Sequence, residues 1–144
     1  MRILYIEDDI SLQSAMTLMM HIQGHDVFIA EDGDNALALA TADNDIDMII
    51  CDGELYSERG PDIIRDIQEN NVILPTLFYT ANQQMLSLAD EFVKSGLIQG
   101  PVAYLLKPRG NEEIFEAIES IVPGFRLDSV TETAREAAPK PHRA

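Results

Sequence analysis

The chain has 144 residues, 46% of them hydrophobic and 24% charged, with a formal charge of −15. That length fits one domain with roughly 68–70% of its unfolded surface available for burial, and the acidic balance argues against direct nucleic-acid binding, which relies on Lys and Arg at phosphates. A single cysteine, Cys51, excludes an internal disulfide and reads as a small buried hydrophobe; no leader pattern opens the chain and no apolar stretch reaches the ~18 residues of a membrane span, so a soluble, cytoplasmic protein without membrane contact is expected.

The first element is an apolar run, Ile3 to Ile6, that ends in Glu7-Asp8-Asp9. Behind it Leu12, Ala15, Met16, Met19 and Ile22 recur at helical spacing, with Ser11 placed to cap the helix and Gly24 to end it. Residues 27–30 form a second run, followed by Ala36, Leu37 and Ala40 after Gly33-Asp34. The third run, 46–51, leads to Asp52 and to Gly53, a residue that admits an unusual backbone path. Ile63, Ile64 and Ile67 follow Gly60-Pro61-Asp62, with proline near a first turn. Residues 74–79 make the fourth run, with Thr80 just beyond it, and Met85, Leu86, Ala89, Phe92 and Val93 make a helical face closed by Gly96. The fifth run, 102–106, ends in Lys107-Pro108, and Ile114, Phe115, Ile118, Ile121 and Val122 repeat behind Asn111.

These runs are near-continuous rather than alternating, the pattern of parallel strands covered on both faces, so all five are expected to be central. Five strands interleaved with five helices predict a doubly wound α/β sandwich. Val122 closes the periodic pattern and bounds a domain at residues 1–122. Residues 123–144 carry three prolines and an Ala-rich segment. They are too few for a second domain of ~50 residues or more, and read as a tail or linker remnant without an output domain.

In an open parallel sheet the carboxyl ends of the strands gather along one edge, which brings Asp8, Asp9, Asp52 and Lys107 into one neighbourhood. Adjacent turn acids are common as solvated groups; Asp52 arriving at the same edge gives the pair a chemical meaning. Close carboxylates repel by on the order of 4 kcal/mol per pair at 4 Å and an effective dielectric near 20, and a cation relieves that. Hard oxygen ligands describe magnesium better than zinc, and no His or Cys cluster suits a softer metal. Lys107, ending a strand expected to be buried, reads as an ion partner. Thr80 offers a hydroxyl at the same edge and by itself would serve equally as a helix cap.

Taken together, these residues resemble the receiver domain of two-component response regulators, over roughly residues 1–122, and the resemblance implies a flavodoxin-like, doubly wound (βα)5 sandwich whose parallel sheet runs in the order 2-1-3-4-5. In that family an acidic pair follows the first strand, matched here by Asp8-Asp9, and a phosphorylated aspartate ends the third, matched by Asp52. The family's loop glycine is matched by Gly60, its hydroxyl and small residue by Thr80-Ala81, its lysine-proline pair by Lys107-Pro108, and its aromatic switch residue by Tyr104. The resemblance implies Mg2+ (or Mn2+) held by Asp9, Asp52 and the backbone carbonyl of Glu54, with Asp8 acting through water. It implies that Asp52 takes a phosphoryl group from a histidine kinase or histidine phosphotransfer protein, with Lys107 and Thr80 on the phosphoryl oxygens. Thr80 and Tyr104 would then reshape the face of the fourth helix, fifth strand and fifth helix for a downstream protein. Such a module assists its own phosphorylation and dephosphorylation and is not a conventional enzyme. The alternative is a receiver-shaped interaction module regulated independently of phosphorylation.

The sequence departs from the family pattern at several points. Tyr56 stands where a proline is usual, Arg109-Gly110 replaces the common aromatic, and the segment between Thr80 and Lys107 is lengthened, mostly within 97–101, beside the expected output face. Glu54 and Asn82 occupy positions that tune dephosphorylation in the family. Three other readings fail on residues. Asp43, Asp45, Asp47 and Glu54 have the acidic spacing of an EF-hand loop, but Met48 stands where its glycine is required. A haloacid-dehalogenase-like phosphatase needs an Asp-x-Asp signature on the first strand, and a flavin protein of this fold needs a Ser/Thr-rich phosphate loop; neither is present. His21, His25 and His142 are too scattered to act as a phosphodonor site.

Overall fold

The computed structural model describes residues 1–126. In chain order its elements are β1 (Arg2–Ile6), α1 (Ile10–Ile22), β2 (Asp26–Ala30), α2 (Gly33–Thr41), β3 (Met48–Cys51), α3 (Gly60–Glu69), β4 (Thr76–Thr80), α4 (Gln83–Lys94), β5 (Val102–Leu106) and α5 (Asn111–Ile121). All strand pairs are parallel and the sheet order is β2-β1-β3-β4-β5, the flavodoxin-like topology that the resemblance implies. The order reverses at β1 and β3, so the crevice outside their carboxyl ends is where this topology places ligands.

Successive strand residues feed opposite faces of the sheet. Leu4, Ile6, Ile49, Cys51 and Phe78 pack with Ala36, Ile63, Ile64, Ile67, Leu86 and Ala89 of α2, α3 and α4. Ile3, Tyr5, Ile50, Leu77 and Tyr79 pack with Met16 and Met20 of α1 and Ile114, Phe115, Ile118 and Ile121 of α5. This double coverage is why the apolar runs are continuous. It makes β3 and β4 wholly buried and β1 buried after Arg2, whereas β2 and β5 are half-buried edges. The expectation of five central strands therefore holds for three: covering both faces of an edge strand still leaves its flank open.

On α1 the buried positions are Met16 and Met20, while Leu12 and Ile22 of the expected core face are exposed. Apolar residues run almost all the way around this helix, so spacing alone allowed more than one stripe. The helix is capped by Asp9, whose carboxylate accepts the Leu12 N–H at 3.0 Å, in place of the expected Ser11. Gly24, at φ +87°, follows its end as expected.

The core continues past Val122. Phe125 is buried, stacks on His25 at 4.5 Å and lies 5.8 Å from the Phe115 ring. Arg126 pairs with Glu112 at 2.7 Å and with Glu119. The remainder of the segment read as a tail, residues 127–144, lies outside the described residues. The lengthened segment before β5 is bound to α3: Gln68 donates to the Gln99 carbonyl at 2.9 Å and accepts its N–H at 2.8 Å, and Ile98 is buried. Among the described residues no helix is long and apolar enough to cross a membrane.

Candidate functional site

The site begins where β1 runs out. Glu7 stays in register, donating its N–H to the Ala30 carbonyl at 3.0 Å, and by the period of two it falls on the same side of the sheet as Tyr5. Its side chain is 1% exposed. One carboxylate oxygen accepts the Asp8 and Asp9 N–H groups at 3.1 and 3.3 Å; the other accepts the Tyr5 hydroxyl at 3.2 Å and the Lys107 ammonium at 2.6 Å. Burial pushes the Glu7 carboxyl above the usual glutamate range, and the hydrogen bond and charge of Lys107 pull part of that shift back.

Asp52 enters one residue beyond β3, its N–H on the Ile6 carbonyl at 3.0 Å. Its carboxylate accepts the Glu54 N–H at 3.2 Å and faces the Lys107 ammonium at 3.5 Å. The chain then turns back on itself, with Gly60 N–H on the Gly53 carbonyl at 2.8 Å. A Cβ at residue 60 would stand 2.1 Å from the Asp52 carbonyl oxygen, so the return path requires glycine there. Gly53 answers a different need from the expected one. Its φ is not positive; a Cβ there would meet the Met85 Cβ at 2.5 Å, so glycine makes room beneath α4.

The loop from 53 to 59 is anchored at both ends of its span. Asp8 accepts the Tyr56 N–H at 2.8 Å, a bond that a proline at 56 could not donate. Glu58 accepts the Gly33 N–H at 2.9 Å at the start of α2. The tyrosine therefore ties the loop to the acidic site through its backbone while its side chain stands in solvent.

The acids that share one place are Glu7, Asp8 and Asp52, each offering an oxygen within 4.8 Å of the other two. This shifts the expected pair by one residue. Asp9 lines the same cleft with one carboxylate oxygen on the first turn of α1, while Glu7, which the sequence pattern passed over, lies at the centre. Three carboxylates against one ammonium leave an excess of negative charge, and an all-oxygen donor set of this kind suits a hard divalent cation such as Mg2+ or Mn2+.

Lys107 extends the β4–β5 ladder, its N–H on the Thr80 carbonyl at 2.8 Å, before a cis peptide bond to Pro108. Thr80 is the last residue of β4 rather than the first beyond it, is buried, and accepts the Asn82 N–H at 3.2 Å on its hydroxyl. The Asn82 side chain donates to Glu54 at 2.6 Å, bridging two rims of the cleft. Asp8, Asp52, Glu54, Thr80 and Lys107 thus line one open cleft of about 640 Å³. Tyr104 lies apart from that lining, on the α4 side of β5. Its ring is 6.3 Å from Phe78 and its hydroxyl donates to Asp90 at 3.3 Å. Burial, followed by the nearby Asp90 carboxylate, pushes its phenol up to about 12.

Comparisons with known proteins bear on this arrangement. Among curated relatives, the transcriptional regulatory protein TrcR of Mycobacterium tuberculosis is 29% identical over 121 residues, which are 84% of this chain and 45% of that protein. The chain spans about half the length of the curated relatives it matches. Among solved structures, a response regulator receiver domain protein from Clostridium thermocellum matches with a TM-score of 0.72 and 25% identity, covering 88% of this chain and 97% of that one. The receiver domain of a Pseudomonas aeruginosa sensor histidine kinase, solved with a magnesium ion coordinated in its active site cleft, matches with a TM-score of 0.69 and 25% identity, covering 84% of this chain and 96% of that one. The family model for the response regulator receiver domain matches residues 3–119, from β1 into α5. That span takes in all five strands but for Arg2, and every acid of the cleft, and the chain belongs to the response regulator receiver domains of two-component signalling.

Proposed function

We propose that Asp52 is the phosphoacceptor of this receiver domain and takes its phosphoryl group from the phosphohistidine of a histidine kinase or a histidine phosphotransfer protein. The observation that carries this reading is the Lys107 ammonium, held 2.6 Å from Glu7 and 3.5 Å from Asp52 where three carboxylates converge. An Asp52 oxygen forms the new bond to phosphorus as the P–N bond of the donor breaks, and that bond's electron pair returns to the imidazole. Such a transfer asks for positioning and charge neutralisation rather than covalent machinery. Lys107 stands ready for a phosphoryl oxygen, and the Thr80 hydroxyl sits on the same rim.

Asp8, Asp52 and the Glu54 carbonyl would hold Mg2+ or Mn2+, with Glu7 completing the acidic surround; Asp9 is left to cap α1. The cation supplies neutralisation of the transferring phosphoryl oxygens. Once Asp52 carries the group, the added charge draws Lys107 and the Thr80 hydroxyl toward it, and Tyr104 exchanges its Asp90 contact for the space that Thr80 frees. The α4–β5–α5 face then presents a changed surface to a downstream protein. Residues 1–126 form the signalling unit in this reading.

Beryllofluoride, a phosphoryl mimic, tests the assignment without a partner. With saturating Mg2+, fluorine NMR should show bound signals on the wild-type protein and on Asp9→Asn, and none on Asp52→Asn or Asp8→Asn. Absence of bound signal on the wild type would remove the acceptor role.

A further inference from the structure

Tyr79 ends an apolar run in the sequence, is next to last in β4 and is 7% exposed. Its ring lies 5.3 Å from the Lys107 ammonium, inside cation–π reach. Its hydroxyl accepts the Arg109 N–H at 3.1 Å and donates, in a longer contact of 3.4 Å, to the Arg109 carbonyl. One side chain therefore grips the segment Lys107-Pro108-Arg109 at both ends. From the other side, the same ammonium is held by Glu7, whose carboxylate is in turn held by the Tyr5 hydroxyl at 3.2 Å.

A long, flexible lysine stem must lose rotamer freedom before its charge is fixed. The backbone beyond Lys107 belongs to neither β5 nor α5, so the ammonium needs an outside reference. Tyr79 supplies one, because β4 is buried along its whole length. We propose that Tyr79 is a positioning residue for Lys107: its ring is the floor on which the ammonium rests beside Asp52, and its hydroxyl clamps the following loop at Arg109. The role rests on the reading of Asp52 as phosphoacceptor.

Two variants separate ring from hydroxyl. Tyr79→Phe keeps the floor and loses the clamp; Tyr79→Leu loses both. Proton NMR of the Lys107 ε-methylene should show a ring-current shift in the wild type and in Tyr79→Phe that disappears in Tyr79→Leu, whether or not the protein is ever phosphorylated. Beryllofluoride affinity at saturating Mg2+ should fall about three- to tenfold in Tyr79→Leu, the scale of one cation–π contact, and by less in Tyr79→Phe. Mg2+ affinity should not change, because the Tyr79 hydroxyl bonds to Arg109 and its ring faces Lys107 rather than bonding to any of the three acids. In a Lys107→Ala background Tyr79→Leu should cause no further loss, whereas a residue that merely supports the fold would cause the same loss in both backgrounds. An unchanged Lys107 shift in Tyr79→Leu, or equal losses with and without Lys107, overturns the positioning role. If Tyr79→Leu does not fold, a Tyr79→Phe protein with wild-type affinity overturns the clamp. A wild type that shows the shift but binds no beryllofluoride overturns the acceptor reading, and the role of Tyr79 with it.

Discussion

Replacing Asp8 by Asn should make the metal-free protein more stable. The oxygens of Glu7, Asp8 and Asp52 lie within 4.8 Å of one another. Two unit charges at that distance repel by about 3.5 kcal/mol at an effective dielectric of 20 and about 0.9 kcal/mol in bulk water. Asp8 is exposed, which favours the lower limit, and Lys107 at 2.6 Å offsets the Glu7 charge, so Asp52 is the main repelling partner. The relief comes to about 1–2 kcal/mol, or about 3–6 °C in Tm for a chain of this size. Asn is the right substitution because its side-chain oxygen still accepts the Tyr56 N–H, now 2.8 Å from Asp8, and leaves the loop anchored. Thermal unfolding in a chelator should show the gain. It should shrink at ~1 M salt, where screening acts within about 3 Å, and Mg2+ should raise the Tm of the wild type well above any rise in the variant. A variant no more stable than wild type in chelator, beside a wild type that responds to Mg2+, would refute the electrostatic argument.

Asp9→Ala should cost about 1 kcal/mol through loss of the α1 cap and leave the Mg2+-induced rise in Tm intact; a lost Mg2+ response would restore Asp9 as a ligand. Lys107→Met should destabilise by about 3 kcal/mol because it strands a carboxylate that is 1% exposed, and a second change, Glu7→Gln, should recover most of that in urea unfolding. Tyr104 ionises near 10 when unfolded and at about 12 when folded, so the folded state holds its proton longer through that window. Stability should therefore fall as pH rises from 10 towards 12, and Tyr104→Phe should flatten part of the fall; an identical slope in the variant would show that the phenol is not held in the way described.

The sheet was legible because buried parallel strands leave unbroken apolar runs, and β1, β3 and β4 do so here. Runs 27–30 and 102–106 look the same in sequence, yet lie at the edges, since strand order is set by packing between segments that no single run encodes. Lys107, Asp52 and Thr80 were legible because each stands at the end of a strand or one residue beyond it, on the carboxyl edge. The Glu7 role was hidden by its place after an apolar run, where an acid ordinarily marks the return to solvent; the signal that could have found it is the period of two linking it to Tyr5. Asp9 was ambiguous for the converse reason, since a carboxylate at the start of a helix suits a cap as well as a ligand. Tyr5 and Tyr79 lie inside apolar runs that carry no mark of a polar role. Their hydroxyls acquire partners from residues two and thirty positions away, and those contacts exist only in the folded chain.

The most direct measurement is the mass and position of the adduct formed when the protein is given Mg2+ and a small-molecule phosphodonor. The wild type should gain one hydroxylamine-labile phosphoryl group, mapped by peptide analysis to Asp52, and Asp52→Asn should gain none. A wild type that binds Mg2+ and stays unmodified, or a group found on another residue, would contradict the account.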